Sequence, residues 1–192
     1  MSTKSKAVLQ VDRRQFLEAL GQLVPLTSSN GGSSTITSNV RAHVAGGKLS
    51  LMATDYDAAL QVALPLEGTC PDAFLIPVRD TIKALKGWSA KTLAITLAGG
   101  QVIFQQPGAA ISLPSVDAGL FPKLDDEPLP LRFTILTDDL TRTLACTVQF
   151  CETRGTRIHL SGVHVKVGKE DVRWEATDGH SLGQRDTRPM IA

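Results

Sequence analysis

The side chains best suited to chemistry lie near the C-terminus, where Asp178 and His180 stand two residues apart. A carboxylate and an imidazole are ligands that Zn²⁺ accepts, and His159 and His164 would be the further imidazoles of such a cluster. Asp-x-His is also common in tight turns, and no other acid or histidine has a supporting spacing. The pattern therefore favours a hairpin turn over a metal site, and no metal or other cofactor is expected.

A second stretch, 46–50, reads Gly-Gly-Lys-Leu-Ser and resembles part of a phosphate-binding loop. It lacks the earlier glycine of that motif and lies between two alternating stretches rather than before a helix, which indicates a hairpin. No cysteine has a matching histidine, and no pair of carboxylates lies in an apolar setting. The sequence therefore predicts a protein that is not an enzyme.

Composition sets the broad class of the protein. A chain of 192 residues that is 42% hydrophobic can form one large or two small domains with a buried core. The net charge of +1 excludes a strongly basic nucleic-acid-coating protein but permits a locally positive surface. Cys70, Cys146 and Cys151 have neither disulfide nor zinc spacing, and no signal peptide or long apolar run occurs, so a cytoplasmic location is expected.

Hydrophobic periodicity divides the chain into three repeats, each a helix followed by antiparallel strands. We expect helices over Arg13–Leu23 with Asp12 as the N-cap, from Pro77, and after Thr137 as a cap. The buried stripe of the third helix is predicted to consist of Leu140, Leu144, Val148 and Cys151. Strands are predicted over 35–44, 48–54, 58–64, 73–76, 92–97, 101–105, 110–113, 131–136, 159–167, 172–176 and 182–186. Segment 28–34 is expected to be a loop, and the proline-rich 122–130 an extended connection between domains.

The first and third repeats also share sequence. Ala-Thr-Asp occurs at 53–55 and again at 176–178, and the residues before each copy align without a gap back to Val40 and Val163. A repeated structural unit is the simplest explanation of such self-similarity. The predicted fold class is α+β, built of three half-domain units of one helix and antiparallel strands.

Several motifs then carry a resemblance to a known family. They lie at 39–55, 76–79, 111–114, 121–126 and 176–180. Together they resemble the bacterial DNA polymerase III beta subunit, the beta sliding clamp, over about half of a family member. The resemblance implies the DNA-clamp fold, with a complete first clamp domain over 8–125 and the first half of a second, truncated domain over 126–192.

The resemblance also implies how such a chain meets DNA. In the family, paired repeats make a domain, three domains make a subunit, and two subunits close head to tail around duplex DNA with helices lining the hole. Three cations of the second helix recur on one side at i, i+4 and i+7, which suits sequence-independent phosphate contacts. Solvated helix faces are the alternative explanation. The candidate DNA-binding residues are Arg13, Arg14, Arg79, Lys83, Lys86, Arg142, Arg154 and Arg157. Loop 28–34 departs from the family because it lacks the usual arginine.

A second implied site accepts short peptides of polymerases, clamp-loader subunits and repair proteins. The residues that match one side of this groove are Leu160, Thr177, Gly179, His180 and Leu182. Ser181 stands where the family usually has an arginine, and the other wall of the groove comes from a third domain. The alternative explanation is an ordinary hairpin turn at Asp178-Gly179.

The favoured hypothesis is a DNA polymerase processivity factor that encircles or associates with duplex DNA and tethers polymerase and clamp-loader-type proteins. Such a protein would form a homo-oligomer or associate with another clamp chain. The alternative is a truncated clamp-like interaction module, which binds clamp partners or a full-length clamp and modulates replication without encircling DNA.

Overall fold

A computed structural model describes residues 8–28, 35–70, 72–123, 133–153, 155 and 157–188. The chain divides into two compact units, an N-terminal unit over Met1–Leu124 and a C-terminal unit over Asp125–Ala192. Most of the predicted loop at 28–34, most of the predicted connection at 122–130, and Arg154 lie outside the described residues. No helix of the described part has the length and apolar composition needed to cross a membrane.

The N-terminal unit holds two repeats with the same order of elements. The first repeat consists of β1 (Val8–Asp12), α1 (Arg13–Leu23), β2 (Asn39–Ala45), β3 (Lys48–Thr54) and β4 (Ala59–Pro65). The second consists of β5 (Phe74–Pro77), α2 (Val78–Leu85), β6 (Thr92–Ala98), β7 (Gln101–Gln106) and β8 (Ala109–Pro114). In both repeats a leading strand runs directly into the helix, and a three-stranded meander follows.

The C-terminal unit holds the third repeat. It consists of α3 (Thr137–Thr147), β9 (His164–Val167), β10 (Val172–Thr177) and β11 (Leu182–Thr187), with segment 133–136 leading into the helix. The strands form an antiparallel sheet in the order β11-β10-β9. Its core side is formed by Val172, Trp174 and Ala176 of the central strand.

Local signals explain where the elements of the N-terminal unit begin and turn. The side chain of Asp12 accepts a hydrogen bond from the backbone N–H of Gln15 at 3.0 Å, which caps α1 as predicted. Gly46 and Gly47 have φ of 56° and 71° between β2 and β3. The Gly-Gly pair between β6 and β7 repeats this geometry, with φ of 57° and 73°. Two successive positive φ values are what a two-residue hairpin with the strand twist requires.

The two repeats of the N-terminal unit exchange their leading strands. The sheets have the orders β4-β3-β2-β5 and β1-β6-β7-β8, so β5 joins the sheet of the first repeat and β1 joins that of the second. Each exchanged strand places two apolar residues opposite two apolar residues of its acceptor. The pairs are Val11 with Leu93, Leu9 with Ile95, Ile76 with Val40 and Phe74 with Ala42, all buried.

The helices complete a core that both repeats share. Phe16 of α1 meets Phe104 of β7 with ring centroids 6.0 Å apart and an interplanar angle of 46°. Both rings are fully buried, although they belong to different repeats. Tilted aromatic pairs at this separation are favourable beyond their buried area. Neither repeat of the N-terminal unit therefore closes its core alone.

The duplication predicted from Ala-Thr-Asp extends to the hydrogen bonds of the turns. After β3, Thr54 Oγ1 donates to Ala58 O at 2.8 Å, and after β10, Thr177 Oγ1 donates to Ser181 O at 2.6 Å. The aspartate that follows each threonine accepts from the backbone N–H three residues on, at 2.8 Å and 2.7 Å. Tyr56, with φ of 79°, has the same place as Gly179, with φ of 87°.

Several predicted elements need correction. Segment 35–38 is not a strand, because a 3-10 turn over Ile36–Ser38 precedes β2 and Ser38 Oγ donates to Thr35 O at 2.6 Å. A 3-10 turn over Ile158–Leu160 likewise replaces the start of the strand predicted at 159–167. Pro77 ends β5 rather than opening the helix. The leading strand β1 was not predicted at all.

The third helix also differs from its prediction. Leu136 occupies the N-cap position without a side-chain hydrogen bond, so Thr137 is not the cap. The fully buried residues of α3 are Thr143 and Thr147. The predicted stripe is only half-buried at Leu140, Leu144 and Cys151, and Val148 is exposed.

Candidate nucleic-acid interface and peptide-docking turn

The cations of α2 form the clearest positive surface of the N-terminal unit. Val78 and Leu85 are buried, whereas Arg79, Lys83 and Lys86 are exposed. None of these three cations makes an ion pair within the described part of the chain. At about 1.5 Å rise per residue they span about 10 Å of helix axis. The three side chains are therefore available to contact phosphates of a nucleic-acid strand.

The arginines of α1 are engaged within the protein. Arg13 is half-buried and its Nε donates to Ala90 O at 2.8 Å, which ties the start of α1 to the segment before β6. Arg14 is exposed, and its Nε lies 2.8 Å from Glu18 Oε1, one turn along the helix. The hydrogen bond and the charge of Glu18 raise the pKa of the Arg14 guanidinium above its ordinary value. Their role as DNA contacts stays a prediction.

Two further predicted cations belong to the C-terminal unit. Arg142 is exposed on α3 and has no ion-pair partner among the described residues. Arg157 is engaged, because its Nη2 donates to Asp178 O at 2.9 Å and lies 3.6 Å from Glu152 Oε2. These contacts give Arg157 a structural task beside the DNA contact predicted for it.

The turn between β10 and β11 uses the carboxylate of Asp178. Its Oδ1 accepts the backbone N–H groups of Ser181 at 2.7 Å and His180 at 2.8 Å. These two hydrogen bonds, the one from Ser181 first, lower the pKa of Asp178 below its ordinary 3.8. The described residues contain no group of three acids, histidines or cysteines placed to hold a metal ion.

Residues 179–183 spell Gly-His-Ser-Leu-Gly, which matches the Gly-x-Ser-x-Gly pattern of a nucleophile turn. In hydrolases this pattern forms a sharp turn between a strand and a helix. Here it joins two antiparallel strands, and the backbone of Ser181 bonds to Asp178 and Thr177. Gly183 is needed for packing, since a Cβ there would collide with the ring of Phe150. The motif therefore belongs to a hairpin.

Arg157 brings the predicted peptide-docking residues together. Its guanidinium packs over Gly179, so a Cβ at that position would displace the guanidinium. The hydrogen bond from Arg157 Nη2 to Asp178 O links the residue before the 3-10 turn over Ile158–Leu160 to the hairpin. The hydroxyl of Thr177 is used by the turn, since it donates to Ser181 O and accepts from the N–H of Gly179 at 3.0 Å. His180 is exposed and Leu160 is half-buried.

Two apolar side chains remain open to solvent on these segments. Leu182 is 63% exposed, as a docking contact requires, and Ile158 is 80% exposed. Ile158 was not predicted, although an isoleucine directly after the charged 154–157 segment is a detectable signal. Exposed apolar residues beside a rigid turn suit the anchor of a short peptide.

We expect the turn to become less stable in acid because of Asp178. Its lowered pKa means that its contribution is complete above pH 3.8 and is lost as the pH falls through the lower value of the folded state. Asp178→Asn keeps an acceptor oxygen but removes the charge. Wild type should therefore exceed this variant in unfolding free energy at neutral pH, and the difference should shrink as the pH falls below 3.8 and through the lowered pKa of Asp178. A difference that urea titrations find constant over that range would contradict this reading.

Comparison with known proteins identifies relatives with a similar sequence. The chain is 27% identical over 184 residues to the beta sliding clamp of Caulobacter vibrioides, which covers 91% of this chain and 48% of that protein. It is 28% identical over 176 residues to the beta sliding clamp of Escherichia coli, covering 90% and 47%. The chain thus spans about half the length of the curated relatives it matches. No family model matches the sequence.

Solved structures give the same result for the fold. The DNA polymerase III subunit beta of Pseudomonas aeruginosa matches with a TM-score of 0.88 at 24% identity, over 96% of this chain and 50% of that one. The DNA polymerase sliding clamp of Bacillus subtilis matches with a TM-score of 0.88 at 21% identity, over 98% and 52%. The predicted resemblance and the predicted clamp fold are confirmed.

Proposed function

We infer that this chain, with its fold of half a beta sliding clamp, is a clamp-like DNA polymerase processivity factor. It associates with duplex DNA independently of sequence and tethers polymerase and clamp-loader-type proteins to it. The role is mechanical and electrostatic, not catalytic, and a role on the chromosome places the protein in the cytoplasm. The observation that carries the proposal is the match to sliding clamps along nearly the whole chain.

The electrostatics of the helices support the DNA part of the proposal. Arg79, Lys83 and Lys86 are exposed and make no ion pair within the part of the chain that the structure describes, so they can neutralise phosphates without reading bases. Arg142 offers one more such charge on the third repeat. Contacts of this kind let a protein move along DNA, because each is replaced by an equivalent one at the next phosphate.

Encirclement has a topological test. The protein is loaded on a circular plasmid with the clamp loader of its host, and the plasmid is then cut once with a restriction enzyme. We expect protein to stay with the closed circle during gel filtration and to slide off the linear product. Equal retention on both forms, or no retention on the circle, contradicts encirclement.

The phosphate contacts of α2 have a separate test. Replacing Arg79, Lys83 and Lys86 by glutamine should make the dependence of DNA affinity on salt less steep. The slope of log binding constant against log salt concentration should become less negative by about 2–3, since each lost phosphate contact removes about 0.9. Fluorescence anisotropy with a short labelled duplex measures the slope. The matched control replaces three exposed lysines away from α2, Lys48, Lys123 and Lys169, and should leave the slope unchanged. Equal losses in the two variants would show a nonspecific charge effect.

The tethering part of the proposal depends on the hairpin after β10. We expect Leu182→Asp to weaken binding of short peptides from the host polymerase and clamp loader by about 2 kcal/mol, as loss of a buried anchor does. Leu120→Asp is the control, because Leu120 in the N-terminal unit is also 63% exposed. Calorimetric titration that finds the same affinity for wild type and Leu182→Asp would remove Leu182 from the docking surface.

A second candidate function is an interaction module that modulates replication without encircling DNA. The observation that favours it is the docking turn, which stands in the third repeat and needs no closed ring to expose Leu182. Peptide binding together with equal retention on circular and linear DNA would select this candidate over the first. A protein that binds neither DNA nor these peptides fails both.

A further inference from the structure

The two copies of the Thr-Asp turn differ at one position that bears on the docking site. Tyr56 of the first repeat has φ of 79°, and Gly179 of the third has φ of 87°. The hydrogen bond from the threonine hydroxyl and the bond to the aspartate carboxylate are the same in both turns. Because a tyrosine adopts this backbone conformation in the same turn, the turn itself does not require glycine at position 179.

The glycine is required by a guanidinium that lies over it. A Cβ at residue 179 would overlap Nη1 of Arg157 and come within 3.1 Å of its Cζ and 3.2 Å of its Nη2. At the equivalent place in the first repeat the side chain of Tyr56 is 73% exposed. The lack of a side chain at Gly179 therefore serves Arg157 and not the geometry of the hairpin.

Two further contacts orient the same guanidinium. Nη2 of Arg157 donates to Asp178 O at 2.9 Å and lies 3.6 Å from Glu152 Oε2. The side chain of Glu152 is only 9% exposed, so solvent and salt screen its charge less than they screen a surface carboxylate. A guanidinium presents its N–H groups in a rigid, planar fork. These contacts therefore fix the direction of the whole group.

The 3-10 turn that follows Arg157 is held by the same residues. Leu160 N donates to Arg157 O at 2.9 Å, and Glu152 N donates to Leu160 O at 2.9 Å. Ser161 N and Oγ both donate to Ile158 O, at 3.1 Å and 2.6 Å. Glu152 thus bonds the turn through its backbone and Arg157 through its carboxylate. The turn, Glu152 and the hairpin form one hydrogen-bonded unit through Arg157.

We propose that Arg157 is a positioning residue for peptide docking and does not contact DNA phosphates. It joins the turn that carries Ile158 and Leu160 to the hairpin that carries His180 and Leu182. The partner that fits is a short peptide with apolar side chains, since Ile158 and Leu182 are apolar and exposed. Such a surface binds well only when neighbouring groups hold it in place. The proposal rests on the tethering role proposed above.

The charge environment of Arg157 differs from that of the cations on α2. Arg79, Lys83 and Lys86 make no ion pair among the described residues, whereas Arg157 has a carboxylate oxygen 3.6 Å from its Nη2. A phosphate at Arg157 would be repelled by that carboxylate. It would also compete with Asp178 O for the same nitrogen. Both effects disfavour a phosphate contact.

Peptide affinity is the first readout. Arg157→Ala should weaken binding of short peptides from the host polymerase and clamp loader at least about fivefold, because the docking arrangement is then populated for a smaller fraction of the time. Gly179→Ala should do the same, since its Cβ displaces the guanidinium. Tyr56→Ala is the control, because it places alanine in the same backbone conformation of the first repeat and should leave the affinity unchanged.

A double variant distinguishes positioning from direct contact with the peptide. Calorimetric titration is done at a temperature where circular dichroism shows every variant to be folded. Arg157→Ala combined with Gly179→Ala should bind within about twofold of the weaker single variant, since the second change displaces a group already absent. A loss equal to the product of the two single losses overturns the proposal, because each residue would then contact the peptide separately.

The salt dependence of DNA binding is the second readout, measured by fluorescence anisotropy with a labelled duplex. Arg142→Ala removes an exposed cation that makes no ion pair in the described part of the chain, so the slope should become less negative by about 0.9. Arg157→Ala should leave the slope unchanged. An equal change in both variants overturns the proposal.

Two outcomes separate this inference from the tethering role on which it rests. Wild type that binds peptide, with the same affinity in Arg157→Ala, overturns the inference and leaves the tethering role intact. Wild type that binds none of these peptides overturns both.

Discussion

The exchange of leading strands between repeats is the interaction on which the rest of the fold depends. It places Leu9 and Val11 against one sheet and Phe74 and Ile76 against the other, all buried. Each such side chain contributes about 1.5–3 kcal/mol on burial. Without the exchange β2 and β6 would be sheet edges, and the aromatic contact between Phe16 and Phe104 would lose its second repeat. Neither repeat of the N-terminal unit is then a stable unit by itself.

The surfaces available for binding are formed by side chains that take no part in the packing or hydrogen bonding of the fold. The carboxylate of Asp178 and the hydroxyl of Thr177, which first suggest chemistry, form hydrogen bonds within the hairpin turn. Equivalent hydrogen bonds form in the turn after β3. Within the described residues the cations of α2 make no ion pair and are exposed, while Val78 and Leu85 of the same helix are buried. A surface of free cations beside a rigid scaffold can hold a polyanion without recognising its sequence.

Much of the fold could be predicted from local sequence. The bounds of α1 and β3 were predicted correctly because a capping aspartate and Gly-Gly turns mark them within a few residues. Strand exchange could not be predicted in this way, since it joins residues distant in sequence, and the short β1 has no turn signal before its helix. The same holds for Arg13, whose partner Ala90 lies 77 residues away.

The candidate sites likewise include features that local sequence predicts and features that depend on contacts between distant segments. Exposure of Arg79, Lys83 and Lys86 followed from helical spacing, which is local. The engagement of Arg157 with Asp178 did not, because it spans two segments of the C-terminal unit. Nor could the burial of Thr143 in place of the leucines of α3 be foreseen, since which face of a helix is covered depends on its neighbours.

The claim that the two repeats of the N-terminal unit complete each other by strand exchange can be tested most directly by amide hydrogen exchange. Mass spectrometry compares wild type with Ile76→Asp, a change in the strand that β5 gives to β2, and uses β10 of the C-terminal unit as the reference. The account predicts that β2 and β6 lose protection together in the variant, because neither repeat of the N-terminal unit closes its core alone. Loss of protection confined to β2, with β6 unchanged, would contradict it.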